Sequence, residues 1–230
     1  MELIWSGLLE ALRLIFTFDP AVIDAAVRTI WVSGLAVGVA TMIGLPLGTF
    51  LARHAFPGRR LVVMISRGGM AVPTVFVGLV CYALFSRRGP LGPLDLVYTP
   101  WAIVAGELLL ALPIIVSIGH GAIKALDRRV AETAWTLGAG PLRRWRTYLS
   151  EARVGVTLAV LTAFARCVTE LGIAVMVGGN IKGRTQTLAT ATAEHTRTGD
   201  FEQGLAMGII LLLIALLVTV GIVSLSREGS

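Results

Sequence analysis

The sequence has little of what chemistry usually needs. Its two cysteines, Cys81 and Cys167, sit inside apolar runs, with no second cysteine nearby and no metal-ligand neighbour. That spacing favours buried packing over a disulfide or a thiolate metal site. The three histidines, His54, His120 and His195, form no HExxH pattern and have no metal partner, and His120 closes an apolar segment as a packing residue. A GxxxxGK[ST] loop is missing, so ATP is not bound here by that route. Ser33 and Ser117 have neither a GxSxG-like setting nor a buried base, which argues against an intramembrane serine protease. No catalytic and no metal-ligating residue is therefore expected, and no cofactor is expected in this chain.

Punctuation is equally sparse. No internal repeat, low-complexity tract or linker is visible, so residues 1–230 read as one domain. The opening MELIWSGLLEALRLIF lacks a signal peptide's order of basic start, apolar centre and small cleavage site, and Glu2, Glu10 and Arg13 interrupt it. An interfacial amphipathic helix fits better. Only three residues follow Arg227, so no added cytoplasmic domain is expected there.

What is abundant is hydrocarbon. Apolar residues make up 55% of the chain, and the mean hydropathy is +0.80, well outside the soluble range. The expected class is an all-α, polytopic membrane protein. A membrane helix needs about 20 apolar residues to cross a core of about 30 Å. Five stretches qualify: Ala26 to Ala52, Val62 to Phe85, Trp101 to Ile123, Val154 to Val177 and Gly204 to Leu225. Pro73 and Pro113 should kink or break the second and third.

The formal charge is +6, and the basic residues cluster between hydrophobic runs, which points to cytoplasmic loop anchoring rather than nucleic acid. If the loop after the third stretch is cytoplasmic, Arg53, Arg59, Arg60, Arg67, Lys124, Arg128, Arg129, Arg143, Arg144, Arg146, Arg153 and Arg227 fall inside, twelve of 20. Arg87, Arg88, Lys182, Arg184 and Arg197 then lie outside. The expected topology has the N-terminus outside and the C-terminus inside.

The most charged loop, residues 125–150, has a readable shape. Asp127 can cap a helix, and Glu132 follows in its first turns, where a carboxylate suits the dipole. Ala131, Ala134, Trp135 and Leu137 give it a small, apolar side. Gly138, Gly140 and Pro141 stop it before a second, basic helix. The expected product is a helix, turn, helix knob at the membrane face, although an ordinary amphipathic surface loop would read similarly.

Glu132, Thr133, Ala134 and, six positions after the Glu, Gly138 resemble the EAA loop of importer permeases in the ATP-binding cassette superfamily. The sequence departs from that pattern at Tyr148, Leu149, Ser150 and Glu151, where the family has apolar, any, apolar, Pro. RGGMAVPTVFVGL, with Pro73 and Thr74, resembles the Pro-containing second core helix of oxyanion importers. AFARCVTELGIAVMVGGN resembles their next segment, and RTQTLATAT their outer gate. SRRGPLGPLDLVYTP, ELGIAVMVGGNIKG and GIILLLIALLV look most like the tungstate branch, with molybdate permeases next.

The resemblance implies five core helices, a permease homodimer, two cytoplasmic ATP-binding subunits that hold ATP and Mg, and an external binding protein delivering tungstate or molybdate. It implies a bacterial or archaeal inner membrane. It also implies that Ala131, Glu132, Thr133, Ala134, Leu137, Gly138, Ala139 and Gly140 dock the ATPase.

Two further places carry alternatives. Arg166 and Glu170 stand at i and i+4, so they can pair on one helix face, either as a structural salt bridge or as an arginine that helps a dianion pass. In residues 178–203, Gly178, Gly179 and Asn180 offer backbone amides and flexibility. Thr185, Thr187, Thr190 and Thr192 offer hydroxyls that donate without a fixed charge. An ordinary external loop and a gate fit equally well from the residues alone. The resemblance favours a re-entrant gate with Thr187, Leu188 and Thr190 nearest the path. Molybdate or sulfate permeation, or a non-transporting membrane scaffold, remain the alternatives to tungstate transport.

Overall fold

A computed structural model describes residues 2–227. Met1 and the three residues after Arg227, where two of the expectations above fall, lie outside the described residues. Among those described, ten α-helices run in chain order: α1 Glu2–Phe16, α2 Pro20–Arg53, α3 Arg59–Gly69, α4 Thr74–Phe85, α5 Pro100–Lys124, α6 Arg128–Thr136, α7 Pro141–Glu151, α8 Arg153–Val168, α9 Leu188–Arg197 and α10 Phe201–Arg227.

The bundle is built on α2 packed along α5, with α8 against both. Asp19 starts α2 by accepting the amides of Ala21 at 2.9 Å and Val22 at 3.1 Å, with Pro20 preset at the first helical position. Lipid tails are as apolar as the side chains, so helices in a bilayer associate through close packing of small residues. Ala36 and Ala40 on α2 and Ala111 on α5 are fully buried in that seam. Gly48 brings the backbones together: a Cβ there would stand 3.1 Å from both His120 N and Val116 O.

Among the described residues three helices are long and apolar enough to cross a membrane, namely α2, α5 and α10, and α3 with α4 adds a fourth only as a pair bent by 103°. Of the five stretches read from the sequence, three form such helices and two are broken. Val62 to Phe85 is broken at residues 70–73, where Pro73 has no N–H to give. Val154 to Val177 also fails as one helix, because α8 ends at Val168 and a single π turn, Ala174–Gly178, follows residues 169–171. Pro113 breaks nothing: α5 runs through it, and Gly69 of α3 leaves room for its ring, a Cβ there being 2.9 Å from Pro113 Cβ.

Helix α1 packs along α10. Gly7 lies tight against Leu205 and Ala11 is buried, while Ile4, Trp5 and Phe16 stay exposed.

Candidate functional site

The knob forms at one end of the bundle from local signals. Asp127 accepts the amide of Arg129 at 2.8 Å and starts α6, so Glu132 falls in its second turn. Gly138 ends the turn with φ +69, a conformation that a Cβ disfavours, and Pro141 opens α7. Ala134 points inward and is buried, whereas Trp135 and Leu137 are 65% and 78% exposed. Two large apolar side chains thus stand exposed at the tip of a charged loop. Glu132 is exposed beside them, and Thr133, Leu137 and Ala139 line a hollow of about 530 Å³ on one flank. Tyr148, one of the departures from the EAA pattern, is buried with Ile123 and Ala152 and roots α7 in the bundle.

At mid-bundle the two helix breaks face each other. A Cβ on Gly172 would lie 3.0 Å from Thr74 Oγ1 and 3.1 Å from Val75 N, so the Pro73–Thr74 bend and the end of α8 touch. Glu170 holds the second break. One carboxylate oxygen accepts the Ile173 amide at 3.1 Å, and the other accepts from Arg166 Nη1 at 3.1 Å. Around this point lie Cys167, whose thiol donates weakly to the Glu107 carbonyl at 3.7 Å, and Glu107 itself, 2% exposed with Oε2 unpartnered. Ser33 on α2 is within hydrogen-bonding reach of that carboxyl. Both cysteines are free and buried.

At the end opposite the knob, residues 178–190 form a stiff turn. Gly179 and Asn180 have φ +71 and +50. Thr185 donates to the Gly178 carbonyl at 2.6 Å and accepts the Ile181 amide at 2.9 Å. Asn180 and Gln186 both donate to Glu194 of α9, at 2.7 and 2.8 Å. Thr187 and Thr190 cap α9 reciprocally, and Leu188 is fully buried. The hydroxyls of Thr185, Thr187 and Thr190 are thus already engaged within the loop. Tyr98, at φ +61, ties the turn to the preceding loop: its amide donates to Val177 O at 2.7 Å and its ring covers Gly179. A hydrogen bond with Tyr82 pushes the Tyr98 phenol above its ordinary pKa.

The structure therefore gathers Pro73, Thr74, Arg166 and Glu170 at one depth and Gly178 to Thr190 at another, with Ala131 to Gly140 at the far end. Two charged groups were missed in the sequence. Arg28 on α2 is 7% exposed, bonds Asp24 at 2.7 and 2.8 Å, and donates to Gln186 O at 2.8 Å. Glu107 is the other. The available signals were an acid four residues before Arg28, and a lone carboxylate between Trp101 and Ile123. Among the described residues no group of three or more His, Cys, Asp or Glu could hold a metal ion.

A bundle of broken apolar helices, with an exposed basic knob at one end and a clamped turn at the other, is the architecture of a transport permease. This chain belongs to the family described as binding-protein-dependent transport system inner membrane component, which it matches over residues 44–227.

It is 35% identical over 228 residues to the tungstate uptake system permease protein TupB of Peptoclostridium acidaminophilum, spanning 99% of this chain and 100% of that one. The protein of the same name from Campylobacter jejuni is 36% identical over 215 residues, 94% of this chain and 90% of its own. The molybdenum transport system permease protein ModB of Escherichia coli is 28% identical, over 89% of this chain and 95% of its own. The fold matches a chain of the inward-facing MetNI methionine ABC transporter with TM-score 0.74 at 18% identity, covering 93% of this chain and 98% of that one. The resemblance to importer permeases, tungstate branch first, agrees with these relatives.

Proposed function

We propose that this chain is the membrane subunit of a tungstate importer, and that two copies form the pathway. Its end-to-end likeness to two tungstate uptake permeases is the observation that carries this reading. The basic knob end faces the cytoplasm, following the distribution of Lys and Arg, and the N-terminus faces outside. ATP is bound and hydrolysed by two partner subunits that grip Trp135 and Leu137 through a cleft. An external binding protein delivers the anion.

Closure of the ATPases brings the two knobs together, and α7 passes the displacement into α8. The Pro73–Thr74 bend and the Glu170 break then act as hinges, because helix breaks absorb φ/ψ changes that intact helices resist. Arg166, which keeps 43% of its side chain exposed while Glu170 is buried, supplies a partly neutralised positive group on the anion's route. A bare arginine would bind a dianion too tightly to release it. The Gly178 to Thr190 turn closes the outer end, with Thr187, Leu188 and Thr190 beside the path.

The test is uptake of radiolabelled tungstate into proteoliposomes containing this chain with its ATPase and binding protein, with Glu132→Arg as the paired control. ATP-dependent uptake that is lost together with ATPase association in the control supports the reading. Molybdate uptake that tungstate fails to compete away would replace the cargo. A chain that recruits no ATPase would leave a membrane scaffold.

A further inference from the structure

Between the last turn of α2 and the helices of the knob lies a cavity of about 910 Å³. Its walls are of two kinds. Pro46, Phe50 and Leu142 present hydrocarbon, while Arg53, Arg128 and Arg144 bring three guanidinium groups against the single carboxylate of Glu132. Charge and apolar surface in one hollow suit a ligand that is itself anionic at one end and greasy at the other.

Two of the arginines are already oriented. Arg53 lies 4.4 Å above the ring of Tyr148, and Arg144 lies 3.9 Å above that of Trp135. A guanidinium stacked by its face keeps its N–H groups in plane for an acceptor. Acceptors are missing here: Arg53 Nε and Nη2 are buried without a partner, and so is Trp145 Nε1 on the α7 side. Buried donors left this way are rare, and all three belong to residues that line this cavity. Planar, forked donors select a tetrahedral oxyanion over a point acceptor.

The place of the cavity identifies the carrier. Arg53 is the last residue of a long apolar helix, and Trp145 lines the same cavity. Tryptophan and a ring of arginine at the end of a membrane helix mark the headgroup layer. We propose that this cavity binds a tetrahedral oxyanion presented as the phosphodiester of an anionic phospholipid, with the acyl chain running along Pro46 and Phe50. A free oxyanion would use the guanidinium groups and leave the hydrocarbon wall idle. The phosphate joins α2 to α7, so occupancy ties the knob to the bundle.

The test uses the full chain in nanodiscs of mixed phosphatidylglycerol and phosphatidylcholine, with retained lipid read by native mass spectrometry after release into detergent. Wild type keeps phosphatidylglycerol preferentially. Arg53→Gln lowers that preference on the order of fivefold, the mass-action equivalent of about 1 kcal/mol per basic group near the surface, and Arg53→Lys recovers part of it. Arg144→Gln, on the opposite wall, lowers it independently, so a folding defect in one variant does not decide the result. In phosphatidylcholine nanodiscs, tungstate and inorganic phosphate are titrated against tryptophan fluorescence. Arg53-dependent binding of free anion without any lipid preference overturns the lipid source. A lipid preference unchanged in both glutamine variants overturns the site.

Discussion

Glu170 and Arg166 share a 3.1 Å ion pair in which the acid is 1% exposed and the base 43%. The pair is lopsided because Glu170 has a second task, accepting the Ile173 amide at the point where α8 stops. Those tasks separate by mutation. Glu170→Gln keeps an oxygen for the amide and should melt within about 1 kcal/mol of wild type, whereas Glu170→Ala orphans a buried donor and loses about 2 kcal/mol. Thermal unfolding of the two variants in nanodiscs measures the difference. Equal melting would show that the break needs no cap.

Gly138 has φ +69 and nothing within 4 Å of an added Cβ, so its substitution penalty is backbone strain alone. Gly138→Ala should cost about 1 kcal/mol in the knob. Gly138→Pro fixes φ near −65° and should abolish ATPase association while insertion into the membrane stays normal. Co-purification of the ATPase, scored against membrane-inserted chain, checks both. Retained association in Gly138→Pro would remove the turn from the coupling mechanism.

The knob was legible because its signals are local: Asp127, Gly138 and Pro141 act within a turn of themselves. Of the two breaks at mid-bundle, Pro73 announces one, and the other has no local signal. Residues 169–171 leave the helix because Glu170 recaptures an amide and Gly172 meets Thr74, ninety-eight positions away, and hydropathy carries neither fact. Pro113 misled for the opposite reason, since the neighbour that accommodates it, Gly69, is also distant in sequence. The threonines of residues 185–190 read in the sequence as free hydroxyl donors, whereas the fold bonds Thr185, Thr187 and Thr190 within the loop, partners that only the fold supplies.

Arg28 reaches across to the outer turn, donating to Gln186 O at 2.8 Å, and its neighbour Thr29 accepts the Leu188 amide at 3.0 Å. These two bonds fasten α2 to the start of α9 beside the apolar cluster that Val22 and Ala25 share with Leu188 and Ala191. Arg28→Ala should cost about 2 kcal/mol, since a buried carbonyl loses its donor, and Thr29→Val about 1 kcal/mol. Hydrogen exchange at residues 185–190 should speed up in both variants while the α2–α5 seam stays protected. Unchanged exchange there would mean that the capping box holds the turn without help from α2.

Gly78 and Gly106 pack under the π turn. A Cβ on Gly78 would stand 2.9 Å from Met176 Cβ and 3.2 Å from the Ile173 Cα, and one on Gly106 would overlap Ile173 Cγ2. Met176 Cβ is fixed by its own backbone and the Ile173 backbone is held by Glu170, so neither can swing aside. Each glycine to alanine change should therefore cost about 1–3 kcal/mol by overpacking, with cysteine accessibility at Cys81, which lies 3.8 Å from the same Gly106 Cβ position, rising as the seam opens. If Gly106→Ala melts like wild type and Cys81 stays unreactive, the π turn is soft and cannot serve as a hinge seat.

Glu107 is the least comfortable group in the bundle. It is 2% exposed in an apolar helix, and its Oε2 has no partner. Arg166 does not relieve it, since that guanidinium is bonded to Glu170. Replacing such a group by a hydrocarbon of similar length removes a desolvation cost without leaving a partner stranded, because only Ser33 loses an acceptor. Glu107→Met should thus raise thermal stability by about 1 kcal/mol or more, against the usual direction of core substitutions. A fall in melting temperature would mean that Glu107 has a buried partner, and Ser33→Ala would then be the variant that reproduces the loss.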